Sequence, residues 1–235
     1  MSRIRLICEG RTEWELLNNL ASEKIKSLIA DIPKPASENL KDAKGRTVGL
    51  GNSALLPRLS NALDESTCKV VIVICDAESK EAKFTWQNIR GELDKRASKS
   101  IPEVLPSIGM DLWINDDKRV GVWVMPDNLS SGMIEDFFWS AIPETDREKP
   151  LAEAFVKGIE NPKFKSKISK AKLYAWLAVQ KDPSANPWQA LNWNRIKKDQ
   201  GKIPDFLTWI EQLLSDSSEQ RNEAMYPNDA LDEAN

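Results

Sequence analysis

Lys69-Val70-Val71-Ile72-Val73-Ile74-Cys75, closed by Asp76-Ala77-Glu78, is the stretch on which the fold turns. Its apolar, largely β-branched residues run on without alternating with polar ones, the pattern of a strand covered on both faces at the centre of a parallel sheet. The run stops abruptly at an acid-x-acid pair, and a helix is expected from about Glu81 to Arg96. Upstream, Arg3 to Cys8 reads as a shorter strand stopping at Glu9-Gly10. A helix from Thr12 to Ile29 follows, with Thr12 as N-cap, Glu15 placed as in a capping box, and an apolar stripe of Leu16, Leu17, Leu20, Ile25 and Leu28. Downstream, Arg119 to Met125 (RVGVWVM) reads as a third strand, ending at Pro126-Asp127-Asn128. Helices are also expected over Ser53 to Leu63 and Met133 to Ala141. Strand-then-helix units in succession predict an α/β fold with a doubly wound parallel sheet and right-handed crossovers. After Pro143 the pattern is helical: Pro150 to Ile159, Ile168 to Gln180 and Pro204 to Leu214. The expected organisation is an α/β core over 1–145, a helical extension over 146–215 packed on it, and a polar, flexible tail over 216–235.

Composition narrows the chemistry. The 235 residues include no histidine, which removes Ser-His-Asp triads, Cys-His dyads and HExxH zinc sites together. Any metal would be held by oxygen ligands, favouring Mg²⁺, Mn²⁺ or Ca²⁺ over zinc. Cys8, Cys68 and Cys75 are too few and too irregularly spaced for a disulfide framework; Cys8 and Cys75 end apolar runs and read as small core residues. The start MSRIRLICEG has no apolar signal segment, and no run is long enough to span a bilayer, so a cytoplasmic protein away from membranes is expected. The nine tryptophans, spaced among other apolar residues, read as packing. The net charge of −3 requires any basic surface to be local, and Lys163, Lys165, Lys167, Lys170 and Lys172 form such a run with no acid among them.

Ligands of open α/β sheets bind beyond the carboxyl ends of the strands. Each of the three strands reaches that edge with an acid: Glu9, then Asp76 with Glu78, then Asp127, with Glu135 and Asp136 just beyond. Carboxylates brought together resist joint ionisation, and a divalent cation relieves them. Taken singly, each acid also has a plainer reading. Asp76 could cap the helix after it, Asp127 could form an Asx-turn, and Glu13 and Glu15 suit the exposed first turn of a helix. The glycine-rich Gly45 to Ala54 matches neither GxGxxG nor a Walker A pattern and reads as an ordinary loop.

Leu6-Ile7-Cys8-Glu9-Gly10-Arg11-Thr12-Glu13 resembles the first motif of the Toprim superfamily, which includes topoisomerases, bacterial primases and OLD-type nucleases. Val71 to Glu78 resembles its second, an acid-x-acid pair ending a hydrophobic strand. Gly121 to Asn128, Gly132 to Asp136 and Lys170 to Leu177 are similar to an uncharacterised bacterial Toprim-like family, so the likeness runs from about Arg3 to Leu177. It implies a Toprim-like (Rossmannoid) core and Mg²⁺- or Mn²⁺-dependent nuclease or phosphodiester chemistry on DNA or RNA. Glu9 would be a ligand or acid/base, Asp76 the main Mg²⁺ ligand and Glu78 a second. Asp127 and Glu135 would serve a further metal or its surroundings. Gly10, Arg11, Lys170 and Lys172 would face phosphate, with Lys170 or Lys172 offsetting charge in catalysis. Glu78 departs from the commoner aspartate by one methylene. OLD-like relatives imply a role in bacterial anti-phage defence beside an ATPase, here a separate subunit because no Walker A is present; a homo-oligomer is also compatible. The alternative is a non-catalytic Toprim-like module that binds a nucleotide, nucleic acid or protein. A receiver-like or phosphatase domain also places acids at strand ends, but no DxDx(T/V) motif follows the first strand.

Overall fold

The computed structural model describes residues 3–20, 22, 26, 40–41, 47–48, 52–164 and 167–214. In order they form β1 (Arg3–Cys8), α1 (Arg11–Leu20), β2 (Leu40–Lys41), β3 (Thr47–Val48), α2 (Asn52–Asp64), β4 (Cys68–Asp76) and α3 (Ala82–Asp94). Then come β5 (Met110–Ile114), β6 (Lys118–Met125), α4 (Ile134–Ser140), α5 (Glu148–Lys157), α6 (Ile168–Leu177), α7 (Pro187–Asn192) and α8 (Ile203–Leu214). Most of the expected first helix beyond Leu20 (all but 22 and 26), Lys44 to Arg46 and Gly49 to Gly51 of the expected loop, Lys165 and the 216–235 segment lie outside the described residues.

The expected strand at 69–75 is the centre of a four-stranded sheet of order β1-β4-β6-β5, parallel across β1, β4 and β6. The fourth strand corrects the expectation of an all-parallel sheet. β5 pairs antiparallel with β6, as Met110↔Val122 through Ile114↔Lys118. Its sequence, MDLWI, is too short and too polar to match the continuous runs of β4 and β6. The hairpin is closed by Asn115, Asp116 and Asp117: the first two stand at positive φ (52° and 60°), as a type I′ turn requires, and the Asp117 N–H donates to the Ile114 carbonyl at 3.3 Å. Arg119 grips the edge by pairing with Asp111 at 2.6 Å and lying over the Trp113 ring. Helix α7 was also not expected. Asn186 and Gln189 cap it reciprocally and Pro187 sits at its start, so local capping builds a short helix where periodicity is too brief to read.

Both faces of the sheet are covered. Ile7, Val71, Val73, Cys75, Val120, Val122 and Val124 share one core with residues of α2, α3 and β5. Leu6, Cys8, Ile72, Ile74, Trp123 and Met125 share the other with α1, α4, α6, α7 and α8. The helices after residue 145 therefore form part of the layer on the second face. Trp123 meets Phe206 edge-on at 5.3 Å and Trp209 at 5.5 Å. Gly121 allows this approach: a Cβ there would lie 2.2 Å from a Leu213 methyl. Trp86, Trp123, Trp176 and Trp209 are fully buried, as the packing reading of the tryptophans requires. Among the described residues no helix is long and apolar enough to cross a membrane.

Candidate metal centre

Parallel pairing sets the site. β1 and β4 run in register to Cys8↔Ile74, and β4 and β6 to Asp76↔Met125, so all three strands finish at one edge. Glu9 is the first residue past β1 and Asp76 the last of β4. The Asp76 backbone N–H donates to Glu9 Oε1 at 3.0 Å, tying the two strand ends together. Asp76 Oδ1 accepts the backbone N–H of Ile134 at 2.9 Å, so this acid meets the first residue of α4 and not the helix that follows it in sequence. Glu78 is held in the left-handed region (φ 62°) by a reciprocal backbone pair with Gly132, 2.8 Å in each direction. One carboxylate oxygen each from Glu9, Asp76 and Glu78 lie within 4.8 Å of one another.

Two further carboxylates press on this trio. Glu13, expected on a solvated helix face, is buried, and its Oε2 accepts the Gly10 N–H at 3.0 Å. It stands in the first turn of α1, where side chains lean back toward the helix start. That lean and its spacing of four from Glu9 are the sequence signal that could have found it. Glu135 is buried in the first turn of α4 and pairs with Lys170 Nζ at 3.3 Å, bringing α6 to the site.

The electrostatic result is a set of acids reluctant to ionise. Burial, then Glu9, Glu13 and Glu135, push Asp76 up to about 9, against the Ile134 N–H. Burial also lifts Glu9 to about 7, with Glu13 and Glu78 adding and the Asp76 N–H opposing. Glu13 is raised by burial and Glu135, while the Gly10 N–H and Lys170 draw it back. The thiols beside them are held in the protonated form, since burial drives Cys8 up to about 12 and Cys75 well above its ordinary range.

The remaining expected residues do not join the trio. Asp127 Oδ1 accepts the N–H groups of Leu129 and Ser130 at 3.1 and 2.7 Å, closing its own turn. Lys172 reaches Glu153 at 3.4 Å and lies over the Trp139 ring. Arg11 is exposed and pairs with Glu15 at 2.9 Å, and the Gly10 N–H is taken by Glu13. What converges is Glu9, Asp76 and Glu78, surrounded by Glu13, Glu135 and Lys170. Glu9, Asp76 and Glu78, three oxygen donors that repel one another in a partly desolvated setting, form a group that could hold a metal ion.

Residues 3–215 match the family described as "Protein of unknown function (DUF3226)". The chain belongs to that family. The DUF3226 match runs from β1 through α8, so the acidic strand ends and the helices beside them fall within one family unit. No curated protein and no solved structure matches the chain.

Proposed function

We propose that this DUF3226 protein is a Toprim-like nuclease, or a related phosphodiester-processing enzyme, that uses Mg²⁺ or Mn²⁺ on DNA or RNA. The observation that carries the reading is the meeting of Glu9, Asp76 and Glu78 oxygens within 4.8 Å at the carboxyl edge of a parallel sheet. These three residues would hold the cation. The bound ion supplies charge neutralisation at non-bridging phosphate oxygens and a more acidic water. Glu13 fixes the Glu9-Gly10 turn through the Gly10 N–H, and the Asp76 N–H fixes the Glu9 carboxylate itself. Lys170, half exposed beside Glu135, offers a positive charge to the approaching phosphate. Bacterial defence beside a separate ATPase subunit, in the cytoplasm, is the biological setting the reading favours.

The test is cleavage of supercoiled plasmid and of tRNA with Mg²⁺ or Mn²⁺, run beside Asp76→Ala. Cleavage that requires the cation and disappears in the variant supports the reading; equal cleavage by both proteins removes it. The second reading, a non-catalytic module, draws on the length and exposure of Glu78. Calorimetry with Mg²⁺ separates the two, because a purely structural module should show no carboxylate-dependent binding of the cation.

A further inference from the structure

The lysine run has a defined place in the fold. No acid occurs between Glu160 and Asp182, a span that holds Lys163, Lys165, Lys167, Lys170, Lys172 and Lys181. Lys170 and Tyr174, four residues apart, share one side of α6, Lys167 stands at its N-cap, and all three are exposed. Leu173, Trp176 and Leu177 of the same helix are buried where it packs among α4, α5 and α7. Lys170 Nζ lies 5.9 Å from the centre of the Tyr174 ring and pairs with Glu135, so one end of this ridge touches the carboxylate site. Lys163 extends the positive charge beyond the helix start. A cationic ridge with an exposed aromatic ring, ending at a cluster of acids, separates two tasks. The ridge attracts a polyanion that the acids alone would repel, and the ring offers a flat face for a base.

We infer that the Lys163–Lys167–Lys170–Tyr174 ridge binds single-stranded nucleic acid, with phosphates along the lysines and an unpaired base against Tyr174. This deepens the proposed nuclease reading by naming its substrate class, and rests on that reading for the identity of the polyanion. A single strand is specified because a duplex keeps its bases stacked and presents no free face to the ring.

The experiment is fluorescence anisotropy of a labelled mixed-sequence 20-nucleotide single strand and its duplex, with the full-length chain in EDTA. Without cation, cleavage does not enter the readout. The single strand is expected to bind more tightly than the duplex, with affinity falling as salt rises. Lys163→Gln with Lys167→Gln should weaken binding and flatten the slope of log affinity against log salt by about 1.4, two phosphate contacts at ~0.7 each. Tyr174→Ala should cost on the order of tenfold for the single strand and little for the duplex, with Tyr174→Phe retaining most of it. No binding, tighter duplex binding, or affinity untouched by these exposed substitutions would overturn the inference. The two readings fail separately: binding in EDTA without cleavage in Mg²⁺ removes only the nuclease, and Asp76-dependent cleavage with an idle ridge removes only the ridge.

Discussion

Two strand ends in this molecule look alike in sequence and behave in opposite ways. β4 ends at Asp76 and β6 is followed by Pro126-Asp127, each acid lying at the same edge of the sheet. Asp76 has Glu9 across a parallel neighbour and Glu13 and Glu135 behind it, and burial pushes it up to about 9. Asp127 has the backbone of its own turn, whose Leu129 and Ser130 N–H groups it accepts. An acid at a strand end becomes a site when neighbouring elements deliver like charges to it. Where the local chain supplies hydrogen-bond donors, the same residue type is part of the scaffold.

The sharpest way to break this contrast is to neutralise each acid in turn. Asp76→Asn should lower cation-dependent cleavage by roughly 10³-fold, the several kcal/mol a lost metal contact removes. The same variant should melt several degrees higher than the parent in EDTA at pH 8, because the folded chain no longer has to hold a proton on a buried carboxyl at that pH. Asp127→Asn should change cleavage by less than about twofold, within the effect of a surface change. Comparable losses in both variants would erase the distinction.

Proton linkage gives the next largest effect. Asp76 and Glu9 are raised in the folded chain, so folding holds their protons more tightly than the unfolded chain does. Their contribution is fully present below the unfolded carboxylate range, about pH 4. It is lost as pH rises, through about 7 for Glu9 and about 9 for Asp76. Thermal melting in EDTA should therefore fall across this window. Millimolar Mg²⁺ should restore more at pH 8 than at pH 5, since the cation competes with protons for the same oxygens. A melting temperature that rises from pH 5 to 8 in EDTA would contradict the raised values.

Smaller effects sharpen the picture at Glu78. Gly132 sits at φ 140°, and a Cβ there would lie 2.8 Å from Asp136 Oδ2 and 3.1 Å from Pro126. Gly132→Ala should cost about 1–3 kcal/mol in urea unfolding. By disturbing the backbone pair that seats Glu78, it should also weaken Mg²⁺ binding roughly tenfold in calorimetry. Smallest of all, Asp127→Ala should cost about 1 kcal/mol, a drop of roughly 2–4 °C in melting temperature, with Mg²⁺ affinity unchanged.

The sequence was most legible where one physical signal dominated. The β-branched runs at 3–8, 69–75 and 119–125 located the parallel strands, and their shared edge placed Glu9, Asp76 and Glu78 together. β5 was hidden because an edge strand needs only one apolar face and its pairing depends on a turn three residues long. Glu13 was hidden for a different reason. An acid in a first helical turn usually faces water, and its burial here follows from how α1 folds back over the Glu9-Gly10 turn. Lys170 and Lys172, two positions apart on one helix, could not be separated by composition, yet they reach Glu135 and Glu153 on different helices.

The missing side chain at Gly121 has a practical corollary for anyone trimming this protein. With Leu213 and Trp209 seated where a β-carbon would otherwise stand, α8 acts as a lid screwed directly onto the middle of β6. Cutting the chain after residue 145 would strip away Phe206 and Trp209 and leave the Trp123 indole facing water. Such a fragment should aggregate on expression, so the minimal piece worth producing runs at least to Leu214.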